Sequence, residues 1–230
     1  RAWQRHFYPP SLEERDQLAY YAEQFGCVEI SESFYRLPEH HTLAHWVEET
    51  PNDFRLALVA PRTITHYKKL KNCENQIDTL FTRLRGLEKQ IGPVVFRLPP
   101  GWQCNLRRLE EFIQRLPDNF RHVFEFQDTS WHTPEVYRLL KNNRAGLSMP
   151  SHDDSAQVMT TAIDLIYLRL YSPKNSTTGI YHARTLRGWA GRIHGWTRKG
   201  KTVYVLFDGE NRNAMLKNAQ RLGRYLSPMN

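Results

Sequence analysis

The sequence predicts an α/β fold, a (β/α)8 TIM-like barrel whose first strand is absent from this chain. Three observations carry that expectation. Short apolar segments alternate with amphipathic helical segments from end to end. The short segments read as near-continuous apolar runs, as strands buried on both faces do. A helix comes first and seven strands follow, one fewer than the eight of a closed barrel. An open doubly wound sheet is the rival architecture. No Gly-rich fingerprint or internal repeat supports it or any other nucleotide fold.

The elements follow in order. Ser11-Leu12-Glu13-Glu14 has the form of a capping box, and Leu18, Tyr21, Ala22 and Phe25 recur at helical spacing before Gly26. This predicts a helix from Ser11 to Phe25. Cys27 to Ile30 is a short strand, Leu43, Trp46 and Val47 mark a short helix, and Phe54 to Val59 a strand. Ile77, Leu80, Phe81, Leu84 and Leu87 make an amphipathic helix expected to end near Gly92. Pro93 to Leu98 is a strand, and Leu106, Leu109, Phe112, Ile113 and Leu116 form a helix. His122 to Phe126 is a strand. Thr133 then caps a helix with Pro134 at its first position. Ala145 to Met149 and Asp164 to Leu170 are strands, and Ser172 to Thr178 an exposed loop. Leu186, Trp189, Ala190 and Ile193 lie on one helix face, Thr202 to Phe207 is the last strand, and Ala214, Ala219 and Leu222 mark the last helix.

Composition bounds the function classes. The 230 residues are 40% hydrophobic and 24% charged, as in an ordinary soluble protein, and are expected to form a single domain from 1 to 230. Three cysteines without metal-ligand spacing argue against a disulfide framework and for a reducing cytoplasm. No apolar run approaches the length of a membrane span, so no membrane role is expected. Arg1 is not a natural start, which suggests a missing upstream segment or a tag. Lys and Arg exceed Asp and Glu by 32 − 24 = 8. That surplus favours anionic partners, either a small molecule or weakly and non-specifically bound nucleic acid. The basic residues are dispersed, so a solvated surface is the plainer reading.

Strand alternation selects candidate site residues. Val28 and Ile30 oppose Glu29 and Ser31. Phe96 and Leu98 oppose Arg97, Phe124 and Phe126 oppose Glu125, and Leu168 and Leu170 oppose Arg169. If the apolar faces meet the helices, the interior receives Glu29, Arg97, Glu125 and Arg169. Such charges must pair, because an unpaired buried charge costs several kcal/mol. An ion-pair lattice that sets register and a polar site at the strand C-terminal ends are both open. His66 follows the Phe54 to Val59 strand and is either a base or a loop hydrogen-bonding group. Trp131 is either packing or a stacking surface. His40, His41 and His45, and the loop His152-Asp153-Asp154, contain metal-capable groups without a complete ligand set.

Several segments resemble the YecE-like family, a barrel family of generally unassigned activity. They are Phe7-Tyr8-Pro9, Leu18 to Ala22, Val28 to Pro38, Ile64-Thr65-His66, Leu98-Pro99-Pro100, Glu125 to Trp131, Trp189-Ala190 and Val203 to Phe207. They run in family order over nearly the whole chain. The family's opening Gly-Thr-Ser-Gly-Trp strand is missing, in agreement with the strand count. Glu29, Tyr35, His66, Glu125, Ser130, Trp131 and Arg169 match the family pattern. Ser31, Val59, Arg97, Gln127-Asp128, Tyr171-Ser172 and Asp208-Gly209-Glu210 depart from it, all at strand ends.

Two functions stand. One is an enzyme acting on a phosphorylated or other anionic substrate. In it Glu29 or Glu125 serves as general acid, general base or ligand to a divalent cation, His66 serves as a base, and Arg97, Arg169, Tyr35, Ser130 and Trp131 bind the substrate. The other is a non-catalytic anion-binding or nucleic-acid-binding scaffold whose site has drifted. The cofactor and the oligomeric state are both open. A +8 charge without a dense basic stripe leads to an expected outcome in a salt titration with unrelated single- and double-stranded DNA. Binding is weak, indifferent to sequence, and falls steeply with salt as counterion release loses its advantage. Tight binding that persists at high salt would contradict this.

Overall fold

The computed structural model describes residues 7–150, 164–173 and 176–227. His152-Asp153-Asp154 lies outside them. Seven strands run parallel in the order of the sequence, β1 (Cys27–Ile30), β2 (Arg55–Val59), β3 (Ile91–Arg97), β4 (His122–Glu125), β5 (Gly146–Pro150), β6 (Leu165–Tyr171) and β7 (Thr202–Asp208). Helices α1 (Gln17–Gln24), α2 (His40–Glu48), α3 (Glu74–Leu84), α4 (Leu106–Ile113), α5 (Pro134–Asn142), α6 (Ala183–Thr197) and α7 (Arg212–Leu226) alternate with them except between β5 and β6, where residues 151–163 lie outside the described ones. Among the described residues this is the topology of a TIM-like α/β barrel with seven of eight strands, as the alternation predicts. The described chain forms two compact units, residues 18–148 and, in the other, 1–17 with 149–230.

In the larger unit the helices end where local chemistry stops them. At α5 the Thr133 hydroxyl accepts from Val136 N, and Pro134 occupies the first turn, where its missing N–H costs nothing. Asn105 caps α4 by accepting from Arg108 N at 3.0 Å. On α4, Leu109, Phe112 and Ile113 form the buried face. Phe112 meets Phe96 of β3 edge-on at 5.1 Å, and Phe96 stacks on Phe124 of β4 at 5.3 Å. Each such ring contributes roughly 1.5–3 kcal/mol by burial.

Three expectations are corrected. The Ser11 capping box does not form, because Leu12 N closes a turn onto Pro9 O and places Ser11 inside it. A 3-10 turn at Glu14–Asp16 intervenes, and the α-helix begins only at Gln17. The third helix ends at Leu84 rather than near Gly92, since Arg85 is extended and Gly86 takes a positive φ of 83°. Gly92 instead lies in β3, where a Cβ would press to 3.3 Å from Ala57 N. Beside it the register slips by one residue between Leu56↔Ile91 and Leu58↔Val94. That bulge accommodates Pro93, which has no N–H for the ladder.

In the smaller unit β6 and β7 pair without interruption from Leu165↔Thr202 to Tyr171↔Asp208. Ile166, Leu168 and Leu170 pack with Leu186, Trp189 and Ile193 of α6 and Leu222 of α7. The Ser172 to Thr178 segment, so far as it is described, carries no regular element.

His122 at the start of β4 has an expected signature in stability. It is buried against Phe81 and Phe96, and burial lowers its pKa to about 4. The unfolded chain binds this proton below pH ~6.5 whereas the folded protein does not until about 4. Stability therefore declines as pH falls from ~6.5 to about 4, by on the order of 2–3 kcal/mol from this group. Urea titrations across that window should show a shallower decline in His122→Leu. An equal slope in the variant would assign the acid sensitivity elsewhere.

Candidate active site

The C-terminal ends of β1, β3 and β4 bring three predicted charges together. Arg97 and Glu125 are direct partners in the β3–β4 register, so both side chains leave the same face at the same level. Arg97 Nε lies 2.7 Å from Glu125 Oε1, with its N–H directed away from the oxygen, so the contact is an ion pair without a linear hydrogen bond. Arg97 Nη2 reaches Glu29 Oε1 of β1 at 4.0 Å. Between them, β2 presents only the methyl of Ala57 opposite Glu29, which leaves room for the long guanidinium stem. Glu125 is 7% exposed, and the Ser148 hydroxyl of β5 donates to its Oε2 at 3.1 Å. The Ser31 hydroxyl donates to Glu29 Oε1 at 3.2 Å.

His66 stands in a π-helical turn, Thr63–Tyr67, that follows β2. Lys68 N reaches back to Thr63 O and closes the wide turn. The ring shares a 2.9 Å hydrogen bond with Thr65 Oγ1 and meets Phe34 edge-on at 4.9 Å. Burial, then the Arg97 and Arg62 guanidinium groups, hold its pKa below the ordinary value. The imidazole is thus neutral near pH 7, with a lone pair available to take a proton. Tyr35 follows the 3-10 turn Ser31–Phe34, which is pinned when the buried Ser33 hydroxyl donates to Val59 O at 2.7 Å. Its ring lies under the Arg62 guanidinium at 5.2 Å.

Ser130 and Trp131 have structural occupations. The Ser130 hydroxyl donates to Asp128 Oδ1 at 2.6 Å and accepts from Cys104 N at 2.8 Å. Its hydroxyl and amide together hold the Asp128 carboxyl below the usual range. Trp131 is fully buried, stacked on Phe126 at 5.0 Å, and donates from its indole to Trp102 O at 2.6 Å. No indole face is left for a ligand, so in this structure both residues brace the loop after β4.

Arg169 belongs to the smaller unit. It is buried near the end of β6, where Nη1 lies 3.3 Å from Asp208 Oδ2 of β7 and the guanidinium rests over Tyr167 at 5.8 Å. Its burial follows the alternation of its strand, and Asp208, which the sequence did not select, is an ion-pair partner within that unit. Asp208, Ser148 and Arg62 are participants that the sequence reasoning did not select as site residues. Ser148 and Asp208 were accessible to it, since each lies at the end of a strand on the polar side of the alternation. Arg62 carried no local signal.

Among the described residues no three His, Cys, Asp or Glu side chains are grouped to hold a metal ion. His45 is occupied with Glu49 at 3.1 Å and His40 with Arg83 O at 2.9 Å. No helix among the described residues is long and apolar enough to cross a membrane.

Parallel strands alternating with helices, and charged groups gathered at strand C-terminal ends, define an α/β barrel-type protein. The chain belongs to the family described as protein of unknown function DUF72, whose model matches residues 1–229. The expected YecE-like membership is therefore correct. A segment of 116 residues is 34% identical to UPF0759 protein YecE of Escherichia coli K12, covering 50% of this chain and 40% of that protein. A DUF72 family protein from Thermotoga maritima superposes with a TM-score of 0.75 at 18% identity, covering 98% of this chain and 94% of the other. One from Enterococcus faecalis gives 0.74 at 17% identity, covering 91% and 92%. Those two likenesses establish the fold.

The ion cluster has an expected stability effect. Arg97→Ala removes a guanidinium from the buried Glu125 and should cost about 2–4 kcal/mol in chemical denaturation at pH 7. A loss below about 0.5 kcal/mol would mean that water already solvates the carboxylate.

Proposed function

We propose that the larger unit binds an anionic, phosphorylated small molecule at the ends of β1, β3 and β4 and performs acid–base chemistry on it. One observation carries this reading. Two guanidinium groups, Arg97 and Arg62, act on a neutral His66 at the strand ends, beside two carboxylates that share Arg97. An anion is attracted to the space between two guanidiniums. Arg97, partly exposed, offers its open edge, and Arg62 has no carboxylate partner among the described residues. His66 takes a proton in its neutral form, and Glu29 or Glu125 gives or takes one, each oriented by Arg97 and a serine hydroxyl.

The scaffold alternative, weak nucleic-acid binding without chemistry, draws on the +8 charge alone. The neutral histidine beside paired carboxylates favours the enzyme. A cytoplasmic setting accompanies the proposal, because all three cysteines are free and Cys27 is held protonated by burial, with its pKa raised to about 11.

Calorimetric titration with inorganic phosphate and a panel of phosphate mono- and diesters tests both halves. Arg97→Gln should weaken phosphate binding at least about tenfold, the loss of one charge-assisted contact. Glu125→Gln should retain binding and lower any turnover by about 10²–10⁴-fold. Failure of every phosphorylated probe to bind the wild-type protein at millimolar concentration would overturn the proposal.

A further inference from the structure

Two large side chains of apolar character stand out in solvent among the described residues, Tyr35 at 71% and Tyr67 at 66% exposure. They come from different turns, one after β1 and one after β2, yet both flank the same cation. The Arg62 guanidinium lies 5.2 Å from the Tyr35 ring centroid and 5.3 Å from that of Tyr67. Arg62 has neither an ion-pair nor a hydrogen-bond partner among the described residues, so the rings hold its orientation while its charge stays uncompensated. Tyr35 touches Phe34 at 5.0 Å and Phe34 touches His66 at 4.9 Å, which makes the group continuous with the candidate active site.

The chain beyond Tyr67 adds positive charge at a conformational cost. Lys69, Leu70 and Asn72 have φ of 46°, 64° and 50°, a left-handed conformation that costs non-glycine residues on the order of 1–3 kcal/mol each. Leu70 anchors the segment, buried at 2% exposure and donating from its amide to Ile64 O at 3.0 Å. The result is that Lys68, Lys69 and Lys71 are all turned out to solvent beside Tyr67. Lys71 also lines a cavity of about 360 Å³ with Arg107, Arg108, Arg115 and Glu111, where Arg107 is paired with Glu111 and Arg115 with Glu74.

We propose that Tyr35, Arg62 and Tyr67 form a stacking clamp for a nucleotide unit, its base on an exposed tyrosine face and its phosphate on the Arg62 guanidinium. The inference deepens the reading above, since it names a nucleotide as the phosphorylated ligand of the same site. Exposed aromatic rings beside an uncompensated guanidinium match the two parts of a nucleotide, a flat π-face and an anion. A free nucleotide and a nucleotide within a single strand share this chemistry. A duplex hides its base faces by stacking and is disfavoured.

Fluorescence anisotropy with a labelled twelve-residue oligothymidylate, an abasic strand of equal charge and a duplex tests the clamp. Tyr35→Ala/Tyr67→Ala should weaken the base-bearing strand about 10–100-fold, the loss expected for one or two stacked bases, and weaken the abasic strand far less, by only what the freed Arg62 loses in orientation. Tyr35→Phe/Tyr67→Phe should retain binding, which separates stacking from misfolding. Arg62→Gln should weaken both strands. Competition by a nucleoside monophosphate at concentrations where inorganic phosphate does not compete assigns the site to free nucleotide, and resistance to it assigns the site to a strand. Equal affinity of the wild type for the base-bearing and abasic strands, or an unchanged affinity in the double alanine variant, overturns the clamp. Phosphate binding that survives in that double variant yet falls in Arg97→Gln leaves the catalytic reading standing whichever way the clamp is decided.

Discussion

The larger unit is organised around one cation. Arg97 sits between Glu125 at 2.7 Å and Glu29 at 4.0 Å, and so ties the ends of β4 and β1 to β3. Such a cluster is a poor source of net stability, because removing three charges from water costs about as much as their attraction returns. Its value lies in orientation. Once Arg97 is present, each carboxylate has one low-energy position, and a strand slipped by one residue would carry its charge to the apolar side. Ser148 and Ser31 complete the arrangement by donating to the two carboxylates, so their direction is set from both sides.

The same cation acts on His66. Together with Arg62 it makes protonation of His66 unfavourable, adding to the effect of burial. A neutral imidazole, two oriented carboxylates and an uncompensated Arg62 are thus consequences of where two arginines stand. The resemblance to the YecE-like family implies a glutamine at the position this chain fills with Arg97. A glutamine in that position would orient a carboxylate by hydrogen bonding but supply no charge. The difference bears on how this chain holds its carboxylates, since Glu29 and Glu125 share the Arg97 charge.

Sequence patterning exposed most of the framework because it depends on local rules. Thr133-Pro134 starts its helix as capping chemistry requires, and β1 runs from Cys27 to Ile30 as its apolar alternation indicates. The failures came where a neighbour intervened. Pro9 draws Leu12 into a turn and cancels a capping box that is otherwise well formed. Gly92 has the look of a helix stop, yet it is a strand residue made necessary by the close approach of β2.

Alternation alone determined that Glu29, Arg97, Glu125 and Arg169 leave the polar side of their strands, because side chains in a strand point by turns to opposite faces. Which of them meet was decided by the tertiary structure. Register places Arg97 level with Glu125, and the small Ala57 opens the way to Glu29. Trp131 illustrates the opposite case, since a tryptophan in a loop after a strand gives no sign of whether its faces are open, and only the packing of Phe126 and Trp102 closes them. Arg62, Tyr35 and Tyr67 lie up to 32 positions apart, counted from residue 35 to residue 67, in two separate turns with no periodic pattern to join them. Parallel strands release their following turns at the same end, and that shared end brings the three together.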